Sequence, residues 1–154
     1  MWRRNPDPVV EGLQNLLSDT YLLYIKTQNF HWNVTGPDFG ALHTLFQTQY
    51  TELSLAVDLI AERIRALGGY AAGSCADFTK YSSLHENTID SVSRSPNQLM
   101  MIEQLAADNE AIAEEARKFI EKVNEVGDES TSNMIADRIT AHDKAAWMLK
   151  SHLS

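Results

Sequence analysis

The feature that most constrains this chain is the spacing of its apolar residues between Gly36-Pro37 and Gly68-Gly69. Leu42, Leu45, Phe46, Leu53, Ala56, Ile60, Ile64 and Leu67 recur mostly at helical intervals, which puts them on one face of an α-helix. The run predicts a helix from about Asp38 to Leu67, closed by the glycine pair. Such a helix is roughly 45 Å long, a length at home in a helical bundle.

Three more segments share this period. Asp7 is placed to cap a first helix and Pro8 to occupy its first position, where no amide donor is needed. Val10, Leu13, Leu17, Thr20, Tyr24, Thr27 and His31 form one row along it, and Val9, Leu16, Leu23 and Phe30 a second. Gly36-Pro37 ends it. Residues 70–94 lose the period and carry Ser, Thr, Gly and Asn. A stretch this long inside a compact domain has a job of its own or contains a short helix, and in a bundle it is the long crossover between the two helix pairs. Ser95-Pro96-Asn97-Gln98 reads as a capping box that opens a third long helix. Its stripe runs from Leu99 and Ile102 through Ile112 and Phe119 to Val123, and Gly127 stops it. A last helix is expected from near Asp128 or Thr131 to about His152, with Met134, Ile135, Ile139, Ala146, Met148 and Leu149 apolar. With no strand pattern and no repeat, the fold class is all-α, a four-helix bundle.

The chain has 154 residues, enough for one domain spanning 1–154 with a sizeable core. The formal net charge is -8, which disfavours DNA and anionic membranes as partners and favours small cations. Cys75 is the single cysteine and suits a reducing compartment. No apolar run reaches the length of a membrane span, and Met1-Trp2-Arg3-Arg4 leads into Asn5-Pro6-Asp7 without an apolar core. The expected location is cytoplasmic, with no membrane partner.

The chemistry concentrates around the first two helices. Asp58 and Glu62 are four residues apart on the long second helix, as are His43 and Gln47. Each pair therefore lies one turn apart on one face, and around the axis all four fall on one side. Along the axis, however, His43 and Asp58 are about 22 Å apart, whereas a metal takes its ligands at ~2.0–2.2 Å. Either the pairs are not co-ligands, or a second copy completes the site. Antiparallel pairing of this helix across a two-fold axis sets His43 of one subunit beside Asp58 and Glu62 of the other, twice over. A short Gly-Pro turn can return His31 to the side of His43. Two imidazoles with two carboxylates suit Fe(II), Mn or Zn, and not a structural thiolate site.

Phe30-His31-Trp32-Asn33-Val34-x-Gly36, Leu42-His43-x-Leu45-Phe46 and Asp58-x-Ile60-Ala61-Glu62-Arg63-Ile64-x-x-Leu67-Gly68, with the closing His142-Asp143-Lys144-x-x-Trp147-Met148-Leu149, resemble the Dps-type mini-ferritins over essentially the whole chain. The resemblance implies a ferritin-like four-helix bundle with a short helix in the crossover. It also implies a twelve-subunit hollow shell and a ferroxidase centre at the two-fold interface. It makes His31, His43, Asp58 and Glu62 the metal-binding and catalytic residues, with iron as the metal and zinc as an alternative occupant. Trp32 becomes a ring beside the iron able to intercept oxidising equivalents. Acidic residues near the last turn, Asp128 and Asp137 foremost among a group with Glu125 and Glu129, become iron-entry pore residues; helix-dipole complementation at the start of the last helix is the plainer reading.

One position departs from the family. Gln47 stands where a carboxylate is common, and a neutral amide is a weaker iron ligand that offsets no cation charge. One tight metal position per site is expected, with Gln47 bonding to a water beside the metal and a second iron filled mainly during turnover. The motif E-x-x-H of ordinary di-iron bundles is absent. His85, His142 and His152 are read as structural or solvent-facing. Only Arg3 and Arg4 precede the first helix as a basic extension, so DNA binding is expected to be weak or absent. The expected activity is oxidation of Fe(II), with hydrogen peroxide as oxidant, and storage of Fe(III). The alternative is a non-enzymatic shell that interacts with the nucleoid or cell surface and whose metal site is structural.

Overall fold

The computed structural model describes residues 7–84 and 96–154. Its elements are α1 (Pro8–Asn33), α2 (Phe39–Ala66), the short α3 (Cys75–Tyr81), α4 (Gln98–Glu125) and α5 (Glu129–Lys150), and no strand occurs among the described residues. The all-α expectation holds, including the short helix within the crossover.

Local chemistry sets each start and stop. The Asp7 carboxylate accepts from Val9 N at 2.9 Å, and Pro8 takes the first turn. The α1–α2 turn relies on Gly36 at φ +123°, and α2 and α4 are followed by Gly68 at φ +89° and Gly127 at φ +74°. These are backbone states that favour glycine.

The start of α4 corrects the sequence reading. Asn97, not Ser95, is the cap, accepting from Met100 N at 2.9 Å. The Gln98 side chain, which the capping box would have used locally, grips the α1–α2 turn instead. Its Nε2 donates to Asp38 Oδ2 at 3.1 Å and its Oε1 accepts from Asp38 N at 3.3 Å. A tertiary partner outcompetes the local one. Ser95 lies outside the described residues.

That contact also fixes the topology. The start of α4 sits beside the start of α2, so the crossover carries the chain back along the bundle. At the other end, Arg63 of α2 donates to Asp128 at 3.1 Å and to Thr131 Oγ1 at 2.9 Å, tying down the α4–α5 turn. The molecule is therefore two helical hairpins, α1/α2 and α4/α5, with α1 packing on α4 and α2 on α5. Leu13, Leu17, Leu23, Leu42, Phe46, Ile60, Ile64, Leu105, Ile112, Ile135 and Leu149 are fully buried between them. Two residues assigned to the stripes sit outside: Leu99, in the first turn of α4, and Met148, on the outer side of α5, are exposed.

The crossover is pinned to α1 by polar groups. Gln14 Oε1 accepts from Ala72 N at 3.0 Å. Asp19, buried in α1, accepts from Ser82 Oγ at 2.6 Å, Ser83 N at 2.7 Å and Ser83 Oγ at 2.8 Å. Gly12 lets α1 approach α4, since a Cβ there would lie 2.0 Å from the Phe119 ring. No helix among the described residues is long and apolar enough to cross a membrane.

Candidate metal centre

His31 lies in the last turn of α1 and His43 in the second turn of α2, and the short Gly36 turn folds them face to face. Their rings stack at 3.8 Å between centroids and 14° between planes. Each Nδ1 lies 2.7 Å from the other residue's backbone carbonyl oxygen. A carbonyl only accepts, so both Nδ1 atoms carry the proton. In the neutral ring both Nε2 atoms then hold a lone pair, the state a metal requires of imidazole. The His31 carbonyl is also one of those that α1, ending at Asn33, leaves unbonded, so the His43 ring caps the helix. Phe39 packs on His43 at 5.1 Å and Tyr50 meets His31 edge-on at 5.2 Å.

The carboxylates are elsewhere. Asp58 and Glu62 project from an exposed face of α2, and Gln47 is exposed one turn after His43. Among the described residues no three His, Cys, Asp or Glu side chains of one chain come together as a metal site. One chain thus presents two imidazoles and, among the described residues, no carboxylate paired with them. The carboxylate face is also apolar where water would be expected: Leu55 and Leu59 are 65% and 60% exposed on it, and Trp32 beside His31 is 65% exposed. Large apolar residues left open in a row mark a contact surface.

The two acidic residues assigned to a pore differ. Asp137 is exposed on α5. Asp128 is the N-cap of α5; it accepts from Thr131 N at 3.0 Å and Thr131 Oγ1 at 2.6 Å and pairs with Arg63. The Thr131 hydrogen bonds, helped by Arg63, hold its carboxyl below the usual range against the opposing effect of desolvation.

Sequence reasoning missed a polar chain through the core. His142 is buried. Its Nδ1 donates to Asn109 Oδ1 at 2.8 Å, because Asn109 spends its amide on Leu105 O. Its Nε2 then accepts from Arg138 Nη2 at 3.1 Å, and Arg138 pairs with Glu52 of α2. Burial first, and the Arg138 charge second, push the imidazole down to about 3. The signal available was the four-residue spacing of Arg138 and His142. His152 is exposed, and His85 lies outside the described residues.

A family model for the ferritin-like domain matches residues 10–154. A DNA protection during starvation protein of Bacillus anthracis is 34% identical over 146 residues, covering 95% of this chain and 97% of the relative. The solved Dps of Staphylococcus aureus superposes with a TM-score of 0.88 at 34% identity, over 95% of each chain. The chain belongs to the Dps-type ferritin-like family. The Dps of Vibrio cholerae, described as a member of a broad superfamily of ferritin-like diiron-carboxylate proteins, matches with a TM-score of 0.86 at 31% identity, over 95% of this chain and 89% of that one.

Proposed function

We propose that this Dps-type protein, acting as one ferritin-like unit over residues 1–154, is a ferroxidase that oxidises Fe(II) and stores the ferric product inside a shell of twelve subunits built from two-fold dimers. Iron is the substrate. His31 and His43 bind it through Nε2, and Asp58 and Glu62 of the two-fold mate supply the negative charge. One observation carries the reading: the imidazole pair is set with its Nε2 lone pairs unspent, while the carboxylates of matching chemistry lie out of reach on an apolar exposed face of the same helix. A two-fold contact through Leu55 and Leu59 brings the halves together and buries that face.

The chemistry follows from the ligands. Carboxylates favour the harder, more highly charged ion, so the site lowers the energy of Fe(III) relative to Fe(II). Hydrogen peroxide takes one electron from each of two irons; with two protons it leaves as two waters, and no hydroxyl radical is released. Gln47 leaves the second iron position short of charge, so that iron is held mainly during turnover. Asp137 attracts Fe(II) to the entry pore, and Asp128, held by Arg63 and Thr131, adds its negative charge there. Trp32 stands beside His31 to intercept stray oxidising equivalents. Zinc fits the same donors and would block the site.

The test is to load the purified protein with Fe(II) without air, then add hydrogen peroxide at half the iron concentration. Oxidation faster than in buffer, with ferric iron retained by a large assembly, is expected. Oxidation at the buffer rate with iron precipitating outside would reduce the histidines to a helix cap.

The net charge of -8 opposes a polyanion, and electrostatic DNA affinity grows with the phosphates neutralised. Plasmid DNA is expected to migrate unretarded with the protein at about 150 mM salt; retardation would overturn that expectation.

A further inference from the structure

The His43 ring is covered on both faces. His31 stacks on one at 3.8 Å between centroids. Phe39 also stacks on His43, at 5.1 Å and 27° between planes. One imidazole face has room for one stacked ring, so Phe39 takes the other. The pairing has a sequence basis: Phe39 opens α2 and His43 follows four residues later, one turn along the same face. Core burial does not account for this phenylalanine. Its ring is 46% exposed, whereas Phe46, further along the same helix, is fully buried. A ring left half open gains little from leaving water within its own chain. What it does touch is an imidazole of the metal centre.

Phe39 is in turn placed from the other hairpin. It closes the α1–α2 turn by donating its backbone N–H to Gly36 O at 3.2 Å. Gln98, in the first turn of α4, lies over that turn. It holds both the Asp38 carboxylate, at 3.1 Å, and the Asp38 N–H, at 3.3 Å. A Cβ on Gly36 would sit 2.6 Å from Gln98 Oε1, so the missing side chain at position 36 is what admits the amide. Gln98 thus fixes the residue before Phe39 from sixty positions away in the chain. We propose that Phe39 and Gln98 are positioning residues of the metal centre: Phe39 clamps the His43 ring against His31, and Gln98 sets the clamp by fixing the turn that carries it.

The clamp rests on the function proposed above for the identity of the site, and it adds residues that touch no metal. Its physical need is plain. The Nδ1 bond from His43 to the His31 carbonyl, 2.7 Å long, fixes the tautomer, but a single hydrogen bond leaves a ring free to rock about it. With His31 on one face, the way out is through the other, and Phe39 closes it. A metal ligand held in one orientation loses less freedom on binding than one that swings, so the partners that orient a ligand contribute to affinity without touching the ion. α4 thereby acts on the metal centre although it supplies no ligand to it.

The experiment titrates Co(II) into iron-free protein and reads affinity and coordination from the visible absorption of the bound ion. A variant with both His31→Leu and His43→Leu supplies the blank, and sedimentation velocity checks the assembly of every variant. Phe39→Ala should bind Co(II) about tenfold more weakly and with an altered spectrum. Phe39→Tyr, which keeps the ring face, should match the wild type, and Phe39→Leu, which keeps bulk without a ring, should not. Gln98→Ala should weaken binding in the same direction. Combined with Phe39→Ala it should add nothing, because its effect passes through that ring. Should Phe39→Ala fail to assemble, the Leu and Tyr variants carry the comparison. Unchanged binding in Phe39→Ala, full rescue by Phe39→Leu, or full additivity with Gln98→Ala overturns the clamp and leaves the metal centre standing. A wild type that binds no more Co(II) than the blank overturns the centre and the clamp together.

Discussion

His142 shows how a single residue can be placed by its partners rather than by its own preference. Asn109 takes the Nδ1 proton and Arg138 occupies Nε2, so the ring is held neutral with both nitrogens used. Its folded value of about 3 lies well below the ordinary imidazole value of 6.5. Above 6.5 the ring is neutral folded or unfolded, and the folded state suffers no penalty. As pH falls from 6.5 towards 3 the unfolded chain takes up a proton that the folded core refuses, and stability drops. Denaturant titrations at pH 7 and pH 5 should show that drop in the wild type. His142→Gln should flatten it, while costing about 1–3 kcal/mol at pH 7 through the disturbed Asn109 and Arg138 bonds. An unchanged acid slope in the variant would place the sensitivity elsewhere.

At the scale of elements, the crossover is held by side chains more than by its own regularity. The seven-residue α3 is too short to stand alone, and Asp19 gathers Ser82 and Ser83 onto α1. Removing that carboxylate leaves buried donors without an acceptor. Asp19→Ala should cost about 2–3 kcal/mol and raise amide exchange in residues 75–84 while α4 and α5 stay protected. Equal loosening throughout would mean that the crossover and the bundle open as one unit. The periodicity of α1, α2, α4 and α5 was readable because each buries one broad apolar stripe. Asn97 as the cap of α4 was not readable, because Gln98 is taken by Asp38, sixty residues away in the chain.

For the whole molecule, Leu55 and Leu59 separate assembly from chemistry. Leu55→Glu with Leu59→Glu places charge on the face proposed for the two-fold contact, and should shift the protein to monomers in sedimentation velocity and abolish iron oxidation. Asp58→Asn with Glu62→Gln keeps the shape of that face, and should keep the assembly while losing most iron oxidation. If the second pair also dissociates the protein, the carboxylates hold the interface by themselves, and a structural metal or an ion-pair network replaces the ferroxidase.

The sequence by itself determined the four long helices, their short turns at Gly36 and Gly127, the long crossover between the helix pairs, and the placing of His43, Gln47, Asp58 and Glu62 on one side of α2, because these follow from residue spacing and backbone freedom alone. Only the tertiary structure decided that His31 and His43 fix each other's tautomer through reciprocal carbonyl bonds, that Asp128 caps α5 under Arg63, that His142 is sealed in a polar chain to Glu52, and that Tyr50 meets the His31 ring. Each of these depends on which side chains from distant segments arrive within hydrogen-bond or ring contact. That is a property of how helices pack, and the period of one helix does not contain it.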